Sequence, residues 1–291
     1  MNEDETAVYI KGHNDQKVIR FECSGKTDIG QKRRLNQDQF LIAQLHKSLQ
    51  ILRSSVEFDS NEVFGQSMGT VMFVADGMGG ANAGEVASQI AIKNTTDFLL
   101  NSMHWLFHPT ESDTQRFVED LRSAAIFSHN AVRADSEMDP NHRGMGTTLT
   151  LAYLVWPMLY VLHVGDSKCY IRNQHGLTQL TKDQTLAQVL YDNGGLDTAS
   201  VEESPYSHVL VSAIGIDGKP NAVVYRTRLE PNDRILLCSD GVNAHLSDSE
   251  ISEIINSEIS CDEICNRLIA TANERGGRDN ITAVTGICHP I

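Results

Sequence analysis

The sequence predicts one α+β domain, with sheets in its centre and helices outside. Short apolar runs rich in β-branched and aromatic residues occur near both ends of the chain and in its middle. Between them, two long segments carry apolar residues at helical spacing. The 291 residues are 41% apolar and 21% charged, which excludes disordered and fibrous classes and suffices for a large core. Strands along the whole chain with helices between them therefore favour a single compact domain.

Ten segments are short, apolar and bounded by turn residues, as strands are. These predicted strands are 18–28, 40–45, 70–77, 149–155, 158–164, 168–172, 177–180, 221–229, 234–241 and 280–288. A further candidate strand, 49–58, lies in a segment at about 45–67 that also contains a polar turn.

Five segments are predicted to be helices from their apolar spacing. They are 84–103, 110–138, 185–195, 247–257 and 261–277. The second begins at Thr110 or Ser112, both of residue types that cap helices, and ends near Asp139-Pro140.

One apolar stretch, Gly144–Gly165, carries no formally charged residue and is long enough to cross a bilayer. Its central Trp156-Pro157 would interrupt a helix, and its flanks are rich in β-branched and aromatic residues. Two strands joined by a turn are therefore predicted here, and not a membrane span.

Charge and cysteine content limit which classes of partner and which cellular compartment are compatible with the sequence. The 38 acidic and 24 basic residues give a net charge of −14, which disfavours a nucleic acid or an anionic membrane as main partner. The N-terminus is acidic where an export signal would be basic and then apolar. Six scattered cysteines without a CxxC pair are expected to be reduced core residues of a cytoplasmic protein, with disulfides as the alternative.

Aspartates recur at the ends of apolar strands. Asp76, Asp166 and Asp240 each follow an apolar run and stand beside a glycine, and Asp279 immediately precedes the last predicted strand. A single Asp-Gly step is most simply a turn, which is our interpretation of Asp217-Gly218. Several carboxylates at the ends of buried strands would repel one another unless a cation neutralised them, so the set indicates a metal site.

The ligand chemistry indicates the ion and the reaction. The candidates are all oxygen donors, and no histidine pair has HxxxH or HExxH spacing, which favours magnesium or manganese over zinc or copper. Two such ions can activate a water and clamp a phosphoryl group during in-line attack, so phosphate hydrolysis is the predicted chemistry. The loop DGMGGANAGE lacks the GK[ST] ending of a P-loop, and its glycines do not fit GxGxxG.

Seven motifs together resemble a known family. In chain order they are SGKTDIGQKRRLNQDQF (24–40), VADGMGGANAGEVAS (74–88), GMGTTLT (144–150), VGDSKCY (164–170), LTKDQT (180–185), LLCSDGV (236–242) and GGRDNIT (276–282). Over about Val18 to Ile287 the chain resembles the metal-dependent serine/threonine protein phosphatases, protein phosphatase 2C, of the bacterial type.

This resemblance implies a central β-sandwich of two antiparallel sheets flanked by pairs of helices, with two Mn2+ or Mg2+ ions at one end. Asp76 matches the carboxylate that bridges both ions, and Gly77 matches a residue whose carbonyl binds one of them. Asp240 and Asp279 match the remaining direct ligands. The implied reaction is direct attack on phosphorus by a hydroxide held between the ions, without a phospho-enzyme.

Three further residues match functional positions of the family. Asp38 matches an acidic residue that orients water, and Asp166 matches one that helps to hold a weaker third ion. Arg33 matches the guanidinium that grips the substrate phosphate, a task suited to its planar fork of donors. Arg33 lies in a basic loop, which on composition alone would be read as a solvated face.

The chain departs from the family pattern in three places. Met78 stands where animal-type relatives have a histidine proposed as general acid, which leaves the proton donor undefined. Gln37 stands where the family often has glutamate. The spacing between the first two motifs is longer than in the smallest members, which indicates an inserted segment at about 45–67.

The predicted organisation is an N-terminal arm at 1–17 and one phosphatase catalytic domain at 18–291. The resemblance also implies a flap at about 182–212, with an ordinary connecting loop as the alternative. Phosphorylated proteins, including a serine/threonine kinase and its targets, are the expected partners. A catalytically silent phosphoprotein-binding relative is the alternative function, which the joint presence of Asp76, Asp240 and Asp279 disfavours. The acidic charge disfavours a metal phosphodiesterase or nuclease.

Overall fold

The computed structural model describes residues 7–10, 19–48, 65–79, 83–103, 111–197, 201 and 204–291. The strands in these residues are β1 Ala7–Ile10, β2 Ile19–Asp28, β3 Asp38–Ser48, β4 Gly65–Met78, β5 Gly146–Thr147, β6 Leu149–Val155, β7 Met158–Val164, β8 Lys168–Asn173, β9 Gly176–Gln179, β10 Val223–Arg228, β11 Arg234–Cys238 and β12 Ile281–Pro290. The helices are α1 Ala83–Asn101, α2 Glu111–Met138, α3 Leu186–Asp192, α4 Asp240–Asn243, α5 Asp248–Asn256 and α6 Cys261–Glu274, and a short 3₁₀ helix covers Pro140–His142.

The strands form two antiparallel sheets. The first has the order β1-β2-β12-β11-β8-β9, and the second has the order β10-β7-β6-β4-β3, with β5 paired to the end of β4. The predicted sandwich of two antiparallel sheets with flanking helices is confirmed.

Alternation along β4 shows how the layers are built. Val71, Phe73 and Ala75 belong to the core between the second sheet and helices α1 and α2, whereas Met72 and Val74 belong to the core between the two sheets. Successive side chains of a strand point to opposite faces, so a strand apolar on both faces serves two cores. A third core lies between the first sheet and helices α5 and α6. The layer order is therefore helix, sheet, sheet, helix.

The uncharged stretch 144–165 forms strands, as predicted. β6 and β7 pair with each other and are joined by a turn at Trp156 and Pro157. None of the helices in the described ranges has both the length and the apolarity needed to cross a bilayer. All six cysteines are buried and unpaired.

Two features differ from the sequence prediction. β4 is longer than the predicted 70–77 at both ends, and it continues to Met78 because Gly77 and Met78 pair with the two residues of β5. β5 was too short to be predicted from composition. Residues 1–6, 11–18 and 49–64 lie outside the described part, so the arm and most of the inserted segment remain predictions, although β3 and β4 continue as a pair up to Ser48 and Gly65.

Candidate metal centre

Aspartates from four parts of the fold meet at one end of the sandwich. Asp76 lies in β4, Asp166 follows β7, Asp240 is the first residue of α4, and Asp279 stands just before β12. Burial raises the pKa of Asp76 well above its ordinary value, and the charges of Asp38, Asp240, Asp166 and Asp279 raise it further. The carboxyl groups of Asp76 and Asp240 also share a hydrogen bond. The sequence-predicted acidic residues are thus brought together.

Asp38 is the direct cross-strand partner of Asp76 in the β3–β4 register. Its Oδ2 accepts hydrogen bonds from the hydroxyls of Ser239 and Thr282, both at 2.7 Å, whereas its buried Oδ1 has no partner. Burial, together with the charges of Asp240 and Asp279, raises the pKa of Asp38 to about 7 although the two hydroxyls lower it. A buried carboxylate oxygen without a partner is costly, so this oxygen is available to a bound water or ion.

The backbone around Asp76 is fixed from two sides. The Asp76 N–H donates to the Thr148 hydroxyl, and the Thr148 N–H donates back to the Asp76 carbonyl, both at 2.9 Å. Gly77 packs so closely that a Cβ there would lie 2.1 Å from the Gly84 carbonyl oxygen and 2.7 Å from that of Gln37. Only glycine allows this approach of β4 to the start of α1.

A similarly close backbone contact, at the residue after it, positions Asp240. A Cβ at the next residue, Gly241, would lie 2.0 Å from the carbonyl oxygen of Asn280. Burial raises the pKa of Asp240, and the charge of Asp279 raises it further. The His208 Nδ1 lies 3.7 Å from the Asp240 Oδ2 on a side chain that is mostly exposed. The predicted flap therefore borders the acidic centre through His208.

Asp279 is bound by Arg33. The Arg33 Nε donates to Oδ1 at 2.7 Å and a terminal nitrogen donates to Oδ2 at 2.5 Å. These bonds raise the pKa of Arg33. The loop that carries Arg33 is held by buried Asn280, whose side chain donates to the carbonyls of Ile29 and Leu35 and accepts from the N–H of Gln37.

Asp166 lies in a separate environment beside an internal ion pair. Burial raises its pKa to about 7, and the charges of Asp240 and Asp183 contribute. Lys168 partly offsets this increase and is itself paired with Asp183. Burial favours the neutral amine of Lys168, but the adjacent Asp183 carboxylate raises its pKa.

The donor set fits a hard divalent cation. The carboxylates supply only oxygen, and desolvation together with neighbouring carboxylates disfavours the ionisation of Asp76 and Asp240, which a cation among them would reverse. Within the described ranges, no three Asp, Glu, His or Cys side chains already stand as a complete ligand cage.

Several functional neighbours were not identified as such from sequence. Thr148, Ser239, Asn280 and Thr282 lie within the quoted motifs, but their polar side chains look like ordinary strand or turn residues until their partners are known. His208 had no sequence signal, because its neighbour Asp240 belongs to another element. Glu202 and Glu203 in the predicted flap lie outside the described residues.

Comparisons with known proteins identify relatives of this chain. A family described as "Protein phosphatase 2C" matches residues 54–283, a range that includes all four aspartates but begins after Arg33 and Asp38. The "Serine/threonine phosphatase stp" of Listeria monocytogenes is 33% identical over 215 residues, which cover 74% of this chain and 82% of that protein.

Two solved structures have the same fold. The Mycobacterium tuberculosis serine/threonine phosphatase PstP/Ppp aligns with a TM-score of 0.74 at 28% identity, covering 93% of this chain and 99% of that one. The catalytic domain of serine/threonine protein phosphatase PstP in complex with two manganese ions aligns with a TM-score of 0.69 at 28% identity and the same coverage.

Proposed function

The chain belongs to the protein phosphatase 2C family, and we propose that Asp76, Asp240 and Asp279, with the carbonyl of Gly77, hold its two ions. It is a metal-dependent serine/threonine protein phosphatase that takes manganese or magnesium. Its substrates are phosphorylated proteins. The observation that carries the site assignment is the convergence of Asp76 and Asp240, whose pKa values are raised first by desolvation and then by neighbouring carboxylates, because such a pair is stable only with a cation or with protons.

When bound, the two ions activate a water and neutralise charge on the phosphoryl oxygens. The protein orients the reacting groups around them. Asp38 is suited to hold a water, because Ser239 and Thr282 fix its Oδ2 and leave the buried Oδ1 without a protein partner. Its place opposite Asp76 in the β3–β4 pair brings its carboxyl group close enough to raise the pKa of that proposed ligand.

Arg33 is proposed to bind the substrate phosphate. Its guanidinium has the fork geometry that phosphate oxygens accept, and it already lies beside the acidic centre through Asp279. Ligation of Asp279 by a cation would weaken that ion pair and release the fork for phosphate. Asp166, 8% exposed and close enough for the charge of Asp240 to raise its pKa, is proposed to support a third and weaker ion.

The leaving serine or threonine oxygen needs a proton. Met78, which follows Asp76-Gly77, cannot donate it, because its side chain has no acidic proton. An activated water is the remaining donor in this proposal. A serine/threonine kinase and its targets are the proposed partners in the cell. A cytoplasmic location is proposed as well, because six buried and unpaired cysteines are compatible with a reducing compartment.

The experiment is hydrolysis of a phosphothreonine peptide and of p-nitrophenyl phosphate with Mn2+, with Mg2+ and after chelation. Both activities are expected to require the added ion and to return when it is restored. Asp240→Asn, which removes one ligand charge, is expected to lower kcat by about 100-fold or more while the protein stays folded. Full activity after exhaustive chelation would contradict the metal mechanism. Mn2+ binding without turnover on either substrate would favour the silent phosphoprotein-binding relative.

A further inference from the structure

Buried Gln184 connects the loop that carries Asp166 to the neck of the predicted flap. Its N–H donates to the Gly165 carbonyl at 2.8 Å, and its side-chain Oε1 accepts the Gly165 N–H at 3.1 Å. It therefore satisfies both backbone groups of the residue directly before Asp166. On the other side, its Nε2 donates to the carbonyl of Asn221 at 2.9 Å and its own carbonyl accepts from the Val211 N–H at 2.9 Å.

Gly165 also packs closely against Thr148, which is hydrogen-bonded to the backbone of Asp76. Its φ of +109° lies in the left-handed region, and a Cβ on it would come within 2.7 Å of the Thr148 Cγ2. Thr148 exchanges two hydrogen bonds with the backbone of Asp76, and its hydroxyl also pairs with that of Ser167 at 2.7 Å. Displacement of Gly165 would therefore also shift Asp166 and Thr148.

The flap neck is a short antiparallel pair next to Gln184. Thr185 forms a bridge with Leu210, and the Leu186 N–H donates to the Val209 carbonyl at 2.8 Å. The chain beyond this neck carries His208, whose ring reaches Asp240. One end of the neck is therefore attached to the Asp166 loop, and the segment beyond it borders a predicted metal ligand.

Glutamine is the side chain that these contacts need. The position is 7% exposed and requires an acceptor for Gly165 and a donor for Asn221 on the same group. A side chain of the same length without polar atoms would leave the N–H of buried Gly165 without an acceptor and would break the link to Asn221.

We infer that Gln184 is a positioning residue that couples the flap neck to the loop of Asp166, so that the two cannot be rearranged independently. This inference rests on the proposed function in one respect, the assignment of Asp166 to a third and weaker ion.

Gln184→Met tests this inference, because methionine keeps the length and removes both hydrogen bonds. Gln188→Met is the matched control, since among the described residues the Gln188 side chain on α3 bonds only to Asp192 at the surface. Amide exchange followed by NMR reports on Gly165 and Val211 directly. In Gln184→Met, the Gly165 amide is expected to exchange at least about fivefold faster, because it loses its side-chain acceptor. The Val211 amide keeps its acceptor, the backbone carbonyl of residue 184, and is expected to exchange faster only because the coupling loosens the flap neck. The control should leave both rates unchanged.

Calorimetric titration with Mn2+ and steady-state kinetics supply the functional measurements. The Mn2+ titration of Asp166→Ala comes first, and the weakest binding event is identified as the one that this substitution removes. Gln184→Met is expected to weaken that same event by about threefold or more and to raise KM for a phosphothreonine peptide more than KM for p-nitrophenyl phosphate, with the tighter events unchanged. A purely structural role would lower the melting temperature without separating the two substrates.

Faster exchange at only one of the two amides, or a wild-type Mn2+ isotherm in a folded Gln184→Met protein, would overturn the coupling. If that variant does not fold, Gln184→Glu keeps the acceptor for Gly165 and removes the donor to Asn221. Val211 should then exchange faster while Gly165 stays protected, and equal protection of both amides would overturn the inference. Wild-type protein that hydrolyses both substrates without any ion would instead refute the proposed function and leave the exchange result standing.

Discussion

Arg33 and Asp279 form a two-point ion pair in which the candidate phosphate-binding group occupies both oxygens of a candidate metal ligand. A cation bound to Asp279 would share these oxygens with Arg33, and the positive charge of the guanidinium would oppose its binding. We therefore expect Arg33 to weaken the binding of an ion at Asp279.

We expect Arg33→Ala to tighten Mn2+ binding. The gain should be about two- to fivefold, because a partly exposed ion pair contributes at most about 1 kcal/mol. Calorimetric titration of the metal-free protein measures it. Arg34→Ala, in the same loop and without an ion pair among the described residues, is the control. Unchanged or weaker Mn2+ binding in Arg33→Ala would show that the pair does not compete with the ion.

The same substitution should act in the opposite direction on the substrate. Arg33→Ala is expected to raise KM about tenfold or more and to lower kcat less, since it removes charged hydrogen bonds made in the ground state and the transition state alike. Arg33→Lys keeps the charge but loses the planar fork of donors, so its KM should lie between those of the wild type and Arg33→Ala. Steady-state kinetics at saturating Mn2+ separate the parameters, and an unchanged KM would remove Arg33 from the phosphate-binding role.

The metal-free protein should lose stability as the pH rises. Asp38 and Asp166 have folded-state pKa values of about 7 against ordinary values near 3.8, so between these limits the folded state binds more protons than the unfolded state. The contribution of these two groups to the free energy of unfolding then decreases with increasing pH over this window and is largest below about pH 4. Asp38→Asn should remove part of this loss of stability. The melting temperature at pH 7.5 should then rise by roughly 2–4 °C, which corresponds to about 1 kcal/mol.

Thermal unfolding at pH 4.5 and pH 7.5, with chelator and with Mn2+, measures this effect. The benefit of Asp38→Asn should be small at pH 4.5 and should disappear with saturating Mn2+. Asp217→Asn, at a fully exposed carboxylate, is the control. Equal melting temperatures of wild type and Asp38→Asn at pH 7.5 without metal would contradict the expected repulsion.

Gly77→Ala should destabilise the fold and abolish activity. The new Cβ would lie 2.1 Å from the Gly84 carbonyl oxygen, so β4 and the start of α1 must separate. The cost is expected to be at least about 2 kcal/mol, within the range for overpacking a close contact. Urea unfolding measures it. Gly195→Ala, where the nearest atom would be 3.2 Å away, should change the free energy of unfolding little.

The sequence predicted the strands and pointed to the aspartates that the fold brings together, but it did not predict the partners of these residues. Apolar runs and Asp-Gly steps are local signals, and they identified Asp76, Asp166, Asp240 and Asp279 before their proximity was visible. β4 could not be assigned a core-facing side, because residues 71–75 are apolar without interruption and both of its faces are buried.

The contacts that were not predicted join residues distant in sequence. Arg33 and Asp279 were both placed in the site, but not as partners of one another, and Gln184 stood in a quoted motif without a role. Such pairings depend on how the sheets and loops meet, which neither periodicity nor composition records.

The position of β12 has a consequence for the synthesis of this protein. β12 directly follows Asp279 and Asn280 and lies between β2 and β11, not at an edge of the first sheet. A nascent chain still lacking this strand has β2 and β11 without their shared neighbour, and Arg33 without the carboxylate that holds it. Because domains fold as units during translation, the polypeptide on the ribosome is expected to assemble the centre only after β12 has emerged. Nascent chains without β12 should therefore be unable to remove phosphate from neighbouring proteins.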